Sequence, residues 1–483
     1  MMATTGGIPR YRPRKGPALL QHGFRPFFLA AGVWAAAGLL LWLAMLKGAL
    51  ALPTAFDPIT WHAHEMLFGF AGSAVAGFLL TAVPNWTGRM PLQGLPLAAL
   101  SALWLAGRVA VALSELTGPF AAAALDLAFP AALLGAVLRE IFAGQNWRNL
   151  PVCLALASLL AANALTHLDA IGLAGTGPAG IRLGTAVLVA LIALVGGRIV
   201  PSFTTNWLKK RGEMRLPVPF GRFDQATLVL TLAALLAWTM APASLVTAPA
   251  ALAAGLANAL RLARWRGHRT LAEPLVWVLH LGYAWIPAGL LLMSLGLLSP
   301  GMLPPVAGLH ALTAGAIGTM TLAVMTRATL GHTGRALTAN RGTLVVYACV
   351  SLGALLRVGA PIFSAAELLF SISGALWGAA FLLFASIYGP LLVRPGGGHD
   401  RPLEPSPWQV RSGAYSGRNT SGASRISVVL RLVSEGQEPR QALTIRCQSS
   451  LSAGSRPTRV SVRSIRPIGT PAGLRAPLHA IHV

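Results

Sequence analysis

Charged side chains are scarce in this sequence of 483 residues. Only 11% of the residues are charged, whereas 54% are hydrophobic and the mean hydropathy is +0.63. A water-soluble domain of this size uses about 25% charged residues to cover its surface. The shortage of charge therefore excludes an ordinary soluble globular protein and indicates a membrane protein.

Acidic residues are the scarcer of the two charge types: 14 against 38 basic residues, a net charge of +24. Such an excess is also found in nucleic-acid-binding proteins. The positions of the basic residues along the chain distinguish that class from membrane proteins. Up to Arg394, 22 basic residues fall in one set of alternate loops, and the other set has only Lys47, Arg108, Arg182 and Arg357. This positive-inside pattern predicts that both termini are cytoplasmic. The predicted partner is the lipid bilayer and not nucleic acid, because the basic loops face anionic headgroups.

Cysteine and the common catalytic motifs are also scarce or missing. The three cysteines are Cys153 and Cys349, within apolar runs, and Cys447, and the sequence has no CxxC motif. A disulfide framework is therefore excluded. No phosphate-binding P-loop, dinucleotide glycine fingerprint or serine-triad motif occurs. The polar residues inside the apolar runs are left as the candidates for chemistry.

Apolar blocks of about 18–25 residues, the length that crosses a bilayer as a helix, dominate the sequence. They predict an all-α membrane protein with about twelve transmembrane helices. Residues 1–26 form a cytoplasmic N-terminal segment, 27–394 the transmembrane domain and 395–483 a tail. The boundary between the seventh and eighth spans rests mainly on a turn around Pro242. The predicted spans are 27–46, 66–83, 94–113, 119–137, 150–168, 181–200, 224–241, 243–262, 273–298, 303–326, 342–360 and 363–390.

The tail differs abruptly in composition, beginning with Pro395 and three glycines. It is rich in Ser, Arg, Gly and Pro, and contains twelve arginines and no lysine. Such a segment has too few large apolar residues to offset the entropy of ordering, so disorder is predicted. The run 426–430 is strand-like, but no partner for it is evident nearby. An RNA- or lipid-binding role and a frameshift artefact both remain open for this segment.

Three of the predicted spans end in related polar sequences, which indicates an internal repeat. Span two ends in Thr-Ala-Val-Pro-Asn-Trp-Thr-Gly-Arg at 81–89, and span six shares a Pro and an Asn-Trp at 201–207. Span ten ends in His-Thr-Gly-Arg at 332–335, which shares Thr-Gly-Arg with span two. The spacing of about 120 residues corresponds to three units of four helices. Ordinary interfacial anchoring is the alternative explanation for any one of these ends.

Histidines at membrane depth are the main candidates for a functional site. His62, His64 and Glu65 lie in the motif Trp-His-Ala-His-Glu-Met at 61–66, which opens span two, and His310 lies about seven residues into span ten. Both spans enter from the predicted outer face, so His310 and either His62 or His64 can hold a haem between two imidazoles. The two neighbouring histidines point about 200° apart, so only one of them shares His310. The other can bind a propionate or a second metal with Glu65 as its hydrogen-bond partner.

Other ionisable residues are weaker candidates. His280 in span nine, and His22 and His332 at the predicted cytoplasmic rim, are further candidate metal ligands, with copper as the candidate metal besides haem iron. Asp126 and Glu367 are predicted to be buried carboxylates that relay protons or bond between helices. His167, at the end of span five, is expected to have no special role. For each histidine, the alternative is a hydrogen-bonded packing residue.

Five motifs, taken together, resemble the NnrS family. They are His-Gly-Phe-Arg-Pro-Phe-Phe at 22–28, the motifs at 61–66 and 81–88, Gly-Arg-Ile-Val-Pro-Ser-Phe-Thr-Thr-Asn-Trp at 197–207, and Val-Met-Thr-Arg-Ala-Thr-Leu-Gly-His-Thr-Gly-Arg at 324–335. The resemblance covers about residues 18–394. It implies an inner-membrane protein of the nitric oxide response that contains haem and copper. The threefold repeat also resembles the catalytic subunit of haem–copper oxidases, but span six has no histidine and span seven lacks the paired histidines of a copper centre.

Three functions follow as hypotheses. The first is a haem-binding, and also copper-binding, membrane protein of the nitrosative stress response, with a b-type haem and nitric oxide as its ligand. The second is an oxidoreductase that transforms nitric oxide, with an electron donor that the sequence does not identify. The third is a transporter for a metal or small solute, because repeats and buried histidines also suit carriers.

Overall fold

The computed structural model of the protein describes residues 16–299, 301, 303–363 and 366–395, and four strands in the tail. The chain divides into two units, Met1–Gly397 and Gly398–Val483. The described part of the first unit is helical. Its twelve long helices are α1 Phe24–Leu46, α2 Pro58–Thr87, α3 Leu95–Ala112, α4 Pro119–Ala143, α5 Leu150–Ala170, α6 Gly177–Lys210, α7 Arg222–Met240, α8 Thr247–Ala263, α9 Pro274–Leu298, α10 Pro305–His332, α11 Arg341–Gly359 and α12 Ala366–Val393.

Eleven of these described helices are long and apolar enough to cross a membrane. The remaining helix is α8, which has 17 residues and follows the turn around Pro242. Seventeen residues span about 25 Å, at the lower limit for a transmembrane helix. The structure thus confirms the all-α membrane fold, with eleven candidate spans among the described residues, and the crossing of the membrane by α8 stays a prediction.

α2 begins earlier than its apolar run predicts, because Asp57 caps it. The Asp57 Oδ1 atom accepts hydrogen bonds from the backbone N–H groups of Ile59 at 2.9 Å and Thr60 at 3.1 Å. Pro58 occupies the first helical position, where its missing N–H costs nothing. This cap adds two turns to the predicted span and brings the histidine motif at 61–66 inside the helix.

The three helices with related endings lie at the centre of the bundle. In the most apolar stretch of each, 72% of residues are buried in α2, 56% in α6 and 67% in α10, and no other span in the described chain exceeds 50%. All three line one apolar chamber of about 100 Å³. The other helices surround them, and α1 packs against α12. Arg25, from the motif at 22–28, stabilises the contact between α1 and α12. It donates hydrogen bonds to the carbonyl oxygens of Leu392 at 2.8 Å and Arg394 at 2.7 Å.

The repeat extends to the backbone of the central helices. Each contains one π-helical segment: Glu65–Ala71 in α2, Ile192–Gly196 in α6 and Ala311–Ile317 in α10. A π-helical turn disturbs the regular i to i−4 pattern and exposes backbone groups, and such turns are frequent at functional sites. The three segments recur at the spacing of the sequence repeat, which supports three four-helix units.

Each π-helical segment gives one backbone carbonyl to a side chain of another helix. The carbonyl oxygen of Gly69 accepts from Trp104 Nε1 at 3.0 Å, and that of Ala193 accepts from Arg261 NH1 at 2.9 Å. In the third unit, the carbonyl oxygen of Ala314 accepts from Trp377 Nε1 at 3.2 Å. Backbone groups in a membrane interior must be satisfied by protein. These bonds therefore stabilise the irregular turns in all three units.

The shared Thr-Gly-Arg sequence ends two of these helices. Gly88 and Gly334 adopt positive φ angles of 68° and 69°, which favour glycine. The Gly88 N–H donates to the carbonyl oxygen of Pro84 at 2.9 Å at the end of α2. The motif is therefore a helix-terminating signal.

The described residues of the tail form a four-stranded antiparallel sheet of order β1-β2-β3-β4. The strands are β1 Gly413–Ser416, β2 Arg425–Arg431, β3 Ala442–Gln448 and β4 Ile465–Pro467. The prediction that the run 426–430 lacks a partner is wrong, because β2 pairs with β1 and β3 from within the tail, for example Val428 with Ile445. These partner runs gave too weak a sequence signal. The rest of the tail, for which disorder is predicted, lies outside the described residues.

Candidate metal centre

Three buried side chains that can ligate a metal meet near the N-terminal end of α2. His64 comes from α2, Asp126 from α4 and His167 from α5, and at most 2% of each is exposed. The Asp126 Oδ2 atom lies 3.3 Å from His64 Nε2 and 3.0 Å from His167 Nε2. One ligand atom from each residue lies within 4.8 Å of the other two. Two imidazole nitrogens and a carboxylate oxygen suit a first-row transition metal. We call these three residues the His64 cluster.

Further polar side chains enclose the His64 cluster. Arg108 NH1 donates to both carboxylate oxygens of Glu65 at 2.8 Å, and Arg108 NH2 donates to Asp126 Oδ1. Asn163 Nδ2 donates to Asp126 Oδ2 at 2.7 Å, and Trp34 Nε1 donates to Glu65 Oε2 at 2.6 Å. Such partners fix the orientation of ligating groups. The cluster is therefore held rigidly by α1, α2, α3, α4 and α5.

Both ring nitrogens of His64 face oxygen atoms that accept hydrogen bonds. The Nδ1 atom lies 3.0 Å from Glu65 Oε1, and Nε2 lies 2.8 Å from Asn163 Oδ1 as well as near Asp126. A neutral imidazole has one N–H donor, so it can satisfy only one of these sides. A second ring proton or a bound metal cation at His64 would satisfy both sides at once.

A count of the charged groups around the His64 cluster also favours one additional positive charge there. Glu65 and Asp126 are two carboxylates, and Arg108 is the one guanidinium that contacts both. With both carboxylates ionised and both histidines neutral, the buried group has one uncompensated negative charge. Burying a charge without a partner is very costly. One additional cation in the His64 cluster balances it.

His62 points to a different set of residues. Its ring stacks on Trp42 with centroids 3.8 Å apart, and its charge interacts with those of His310 and Arg357. The His62 Nδ1 atom is buried and has no hydrogen-bond partner among the described residues. The His310 Nδ1 atom donates to the carbonyl oxygen of Val306 at 2.8 Å, which directs the Nε2 lone pair away from that bond. Of the two α2 histidines, it is therefore His62 that interacts electrostatically with His310, and His62 is the candidate partner of His310.

The remaining predicted histidine ligands lie in other surroundings. His280 Nε2 lies 2.8 Å from Thr204 Oγ1 and so bonds α9 to α6. His22 and His332 lie on either side of Phe24, with ring centroids 5.9 Å and 5.4 Å from it. These contacts connect helix ends, which matches the packing alternative for these three residues.

Sequence reasoning missed three members of the buried network: His167, Arg108 and Asn163. His167 was expected to have no special role, but α5 turns its ring onto Asp126. A usable signal existed for Arg108, because it lies inside a predicted span and not in a loop, and Asp126 lies in the next span. The prediction that Glu367 is buried is wrong, because α12 begins at Ala366 and leaves Glu367 exposed in its first turn.

In a comparison with known protein families, the family model described as NnrS protein matches residues 18–395. No curated protein matches the chain. The matched region contains all twelve long helices, the His64 cluster, and the His62 and His310 pair. The chain belongs to the NnrS family.

Proposed function

We propose that this NnrS family membrane protein binds haem through His62 and His310 and a second metal, copper, at the His64 cluster. In this proposal it acts in the bacterial response to nitric oxide at the inner membrane. The observation that carries the proposal is the division of the α2 histidines. His62 lies within electrostatic range of His310, whereas His64 contacts Asp126 and His167.

The residues around His62 fit a haem in their donor chemistry. His62 has an unpartnered buried ring nitrogen, and His310 keeps one ring nitrogen for an axial bond. Arg357 has a buried NH1 atom without a hydrogen-bond partner in the described chain. A carboxylate is the natural partner for such a guanidinium, and haem has two propionates. Bound haem supplies an iron that takes up nitric oxide or transfers one electron.

The chain's own residues would perform three tasks in this site. His62 and His310 hold the iron from two helices, and Trp42 fixes the His62 ring by stacking. Arg357 neutralises a propionate. The apolar helices around the site exclude water but admit nitric oxide, which is small and apolar. These tasks suit a protein that senses or sequesters nitric oxide as well as one that transforms it.

The His64 cluster fits the second metal in its donor chemistry and its charge. Its two imidazoles and one carboxylate can all contact one ion. With both carboxylates ionised, a cation of charge +1 there would balance the charge that Arg108 leaves uncompensated. Copper(I) has that single charge and accepts imidazole ligands. Arg108 and Asn163 orient Asp126, so they are positioning residues for this metal.

Absorbance spectra of the purified protein, expressed with haem supplementation, test the proposal. We expect a Soret band and sharp reduced α bands in the wild type. His62→Ala and His310→Ala should each remove or shift these bands, whereas His332→Ala serves as the matched control and should leave them unchanged. A colourless wild type, or unchanged bands in both variants, would contradict the haem assignment.

Transport of a metal or small solute is the second candidate. The observation that favours it is the chamber enclosed by α2, α6 and α10. Uptake by proteoliposomes, compared with empty liposomes, would detect such transport, and a colourless protein that transports would replace the first proposal.

A further inference from the structure

A larger cavity of about 500 Å³ lies where the related ends of α2, α6 and α10 meet. Its volume is in the range of ordinary small-molecule sites. All three central helices contribute: Asn85 and Trp86 from α2, Arg198 from α6, and Arg327 from α10. This cavity is at the opposite end of the central helices from His62 and His310, so it is separate from the proposed haem site.

The polar side of this cavity is cationic. Arg198 and Arg327 both line it, and its lining contains no carboxylate. Within the described residues, neither guanidinium has a carboxylate within 4 Å. Glu273 attracts Arg327 from a longer distance, but its own carboxylate caps α9 by accepting from the Leu275 N–H. The cavity therefore presents two positive charges, neither of which has a carboxylate of the described chain in direct contact.

Arg327 is held in position by an aromatic ring. Its guanidinium carbon lies 4.1 Å from the centroid of Phe203 in α6. Stacking on an aromatic face orients the planar guanidinium and leaves its N–H groups available to an oxygen ligand. Because the ring belongs to α6 and the arginine to α10, the contact joins two of the three repeated units.

The rest of the cavity is apolar and continues into the bundle. The smaller chamber of about 100 Å³ shares part of its lining with the larger cavity, so the two adjoin. The shared lining residues are Phe28, Phe78, Val152, Val195, Ile199 and Val324. An apolar body can thus extend from the cationic end towards the middle of the bundle.

We propose that this cavity binds an amphiphilic anion, a molecule with one carboxylate or phosphate head on an apolar chain. The head lies between Arg198 and Arg327, and the Asn85 amide, which uses one N–H on the Thr81 carbonyl oxygen, can donate its other N–H. The apolar chain enters the adjoining chamber. Bulk lipid contact alone does not account for this arrangement, since both arginines line the same cavity and that cavity adjoins an apolar chamber.

Quenching of Trp86 fluorescence by 9,10-dibromostearate tests the proposal in the full-length protein in neutral detergent. Bromine quenches a tryptophan only at close range, and Trp86 lines the cavity. We expect saturable quenching that Trp86→Phe removes. Unlabelled oleate and an anionic lysophospholipid should compete, and their relative strength distinguishes a carboxylate source from a phosphate source. The matching neutral probe is dibromostearate methyl ester, which should quench weakly and without saturation.

Variants of the two arginines test the charge requirement. Arg198→Gln with Arg327→Gln should weaken binding at least about tenfold, because hydrogen bonds to charged groups are lost. Arg211→Gln is the matched control, since Arg211 also lies over an aromatic ring, that of Trp207, at 4.8 Å, but does not line the cavity. It should bind like the wild type. Equal quenching by acid and ester, or unchanged affinity in the double variant, would overturn the proposal.

A third variant covers the case in which the double variant fails to fold. Ala328→Phe fills the cavity from α10 and keeps both arginines. It should reduce the affinity for dibromostearate while the protein stays monodisperse in size-exclusion chromatography. Undiminished affinity in a folded Ala328→Phe protein would also contradict the proposal.

Discussion

Two arginines of the predicted outer set, which has only four basic residues, interact with the residues of the candidate sites. Of the four basic residues there, Arg108 contacts Glu65 and Asp126, and Arg357 interacts with His62 and His310. The positive-inside rule explains why such residues are few, but not why any are present. These two exceptions mark the two candidate sites, because a charge at membrane depth persists only with a partner.

Removal of the Arg108 charge should destabilise the protein strongly. Arg108→Gln would leave the carboxylates of Glu65 and Asp126 buried without a counter-charge, and we expect a loss of about 3–5 kcal/mol in the free energy of unfolding. Denaturant unfolding in detergent measures it. The control is Arg139→Gln, an exposed arginine paired with Glu140, which should cost less than about 1 kcal/mol. Equal stability of the two variants would show that Arg108 does not neutralise the cluster.

A single substitution should remove one metal from the protein and leave the other bound. His167→Ala removes one imidazole from the His64 cluster, so we expect the bound copper to fall severalfold in elemental analysis. The haem bands should be unchanged, because His62 and His310 remain. If His167→Ala retained full copper, the ligand set assigned to that cluster would be wrong.

At the scale of helices, the sequence predicted where the chain crosses the membrane but not how the central helices deform. Apolar runs located α2, α6 and α10, but Asp57 starts α2 eight residues early, and α6 and α10 continue ten and six residues beyond their predicted ends. Their π-helical segments have no apolar signature, since they depend on partners such as Trp104 and Arg261 that are distant in sequence. The same reason explains the site: His64 was identified, but its neighbours Asn163 and His167 required tertiary packing.

Gly69 in the first π-helical segment should not tolerate a side chain. A Cβ atom there would lie 2.7 Å from Trp34 Nε1 and 2.8 Å from both Arg108 NH1 and Glu65 Oε2. We expect Gly69→Ala to lower the unfolding free energy by about 1–3 kcal/mol through overpacking. The control is Gly135→Ala in α4, where nothing lies within 4 Å and helix propensity favours alanine by about 1 kcal/mol. If Gly69→Ala left the unfolding free energy unchanged, the π-helical segment would be able to shift enough to accommodate a methyl group, contrary to this prediction.

For the whole molecule, the count and orientation of the spans meet their hardest test at α8. If α8 crosses the membrane, Leu245 and Leu271, which flank it in the chain, lie on opposite sides of the membrane. Their side chains are 95% and 72% exposed, so substitution should not disturb folding. In intact cells, a membrane-impermeant maleimide should label Leu245→Cys and not Leu271→Cys, and both should react after lysis. The reverse labelling would invert the predicted topology.

The three repeated units each supply one of the central helices α2, α6 and α10. The two ends of these helices carry different candidate sites. One end holds the histidine sites of α2 and α10, and the other holds the cationic cavity lined by Arg198 and Arg327. Family membership extends over this whole arrangement. The central claim is that His62 and His310 hold one haem between the first and third repeats.

Chemical rescue of the missing ligand tests that claim most directly. His310→Gly should lose the sharp reduced α bands of the wild-type spectrum, because the iron loses an axial imidazole. Addition of free imidazole should restore them in this variant, and it should not alter the wild type. A His310→Gly spectrum that equals that of the wild type before any imidazole is added would contradict the account.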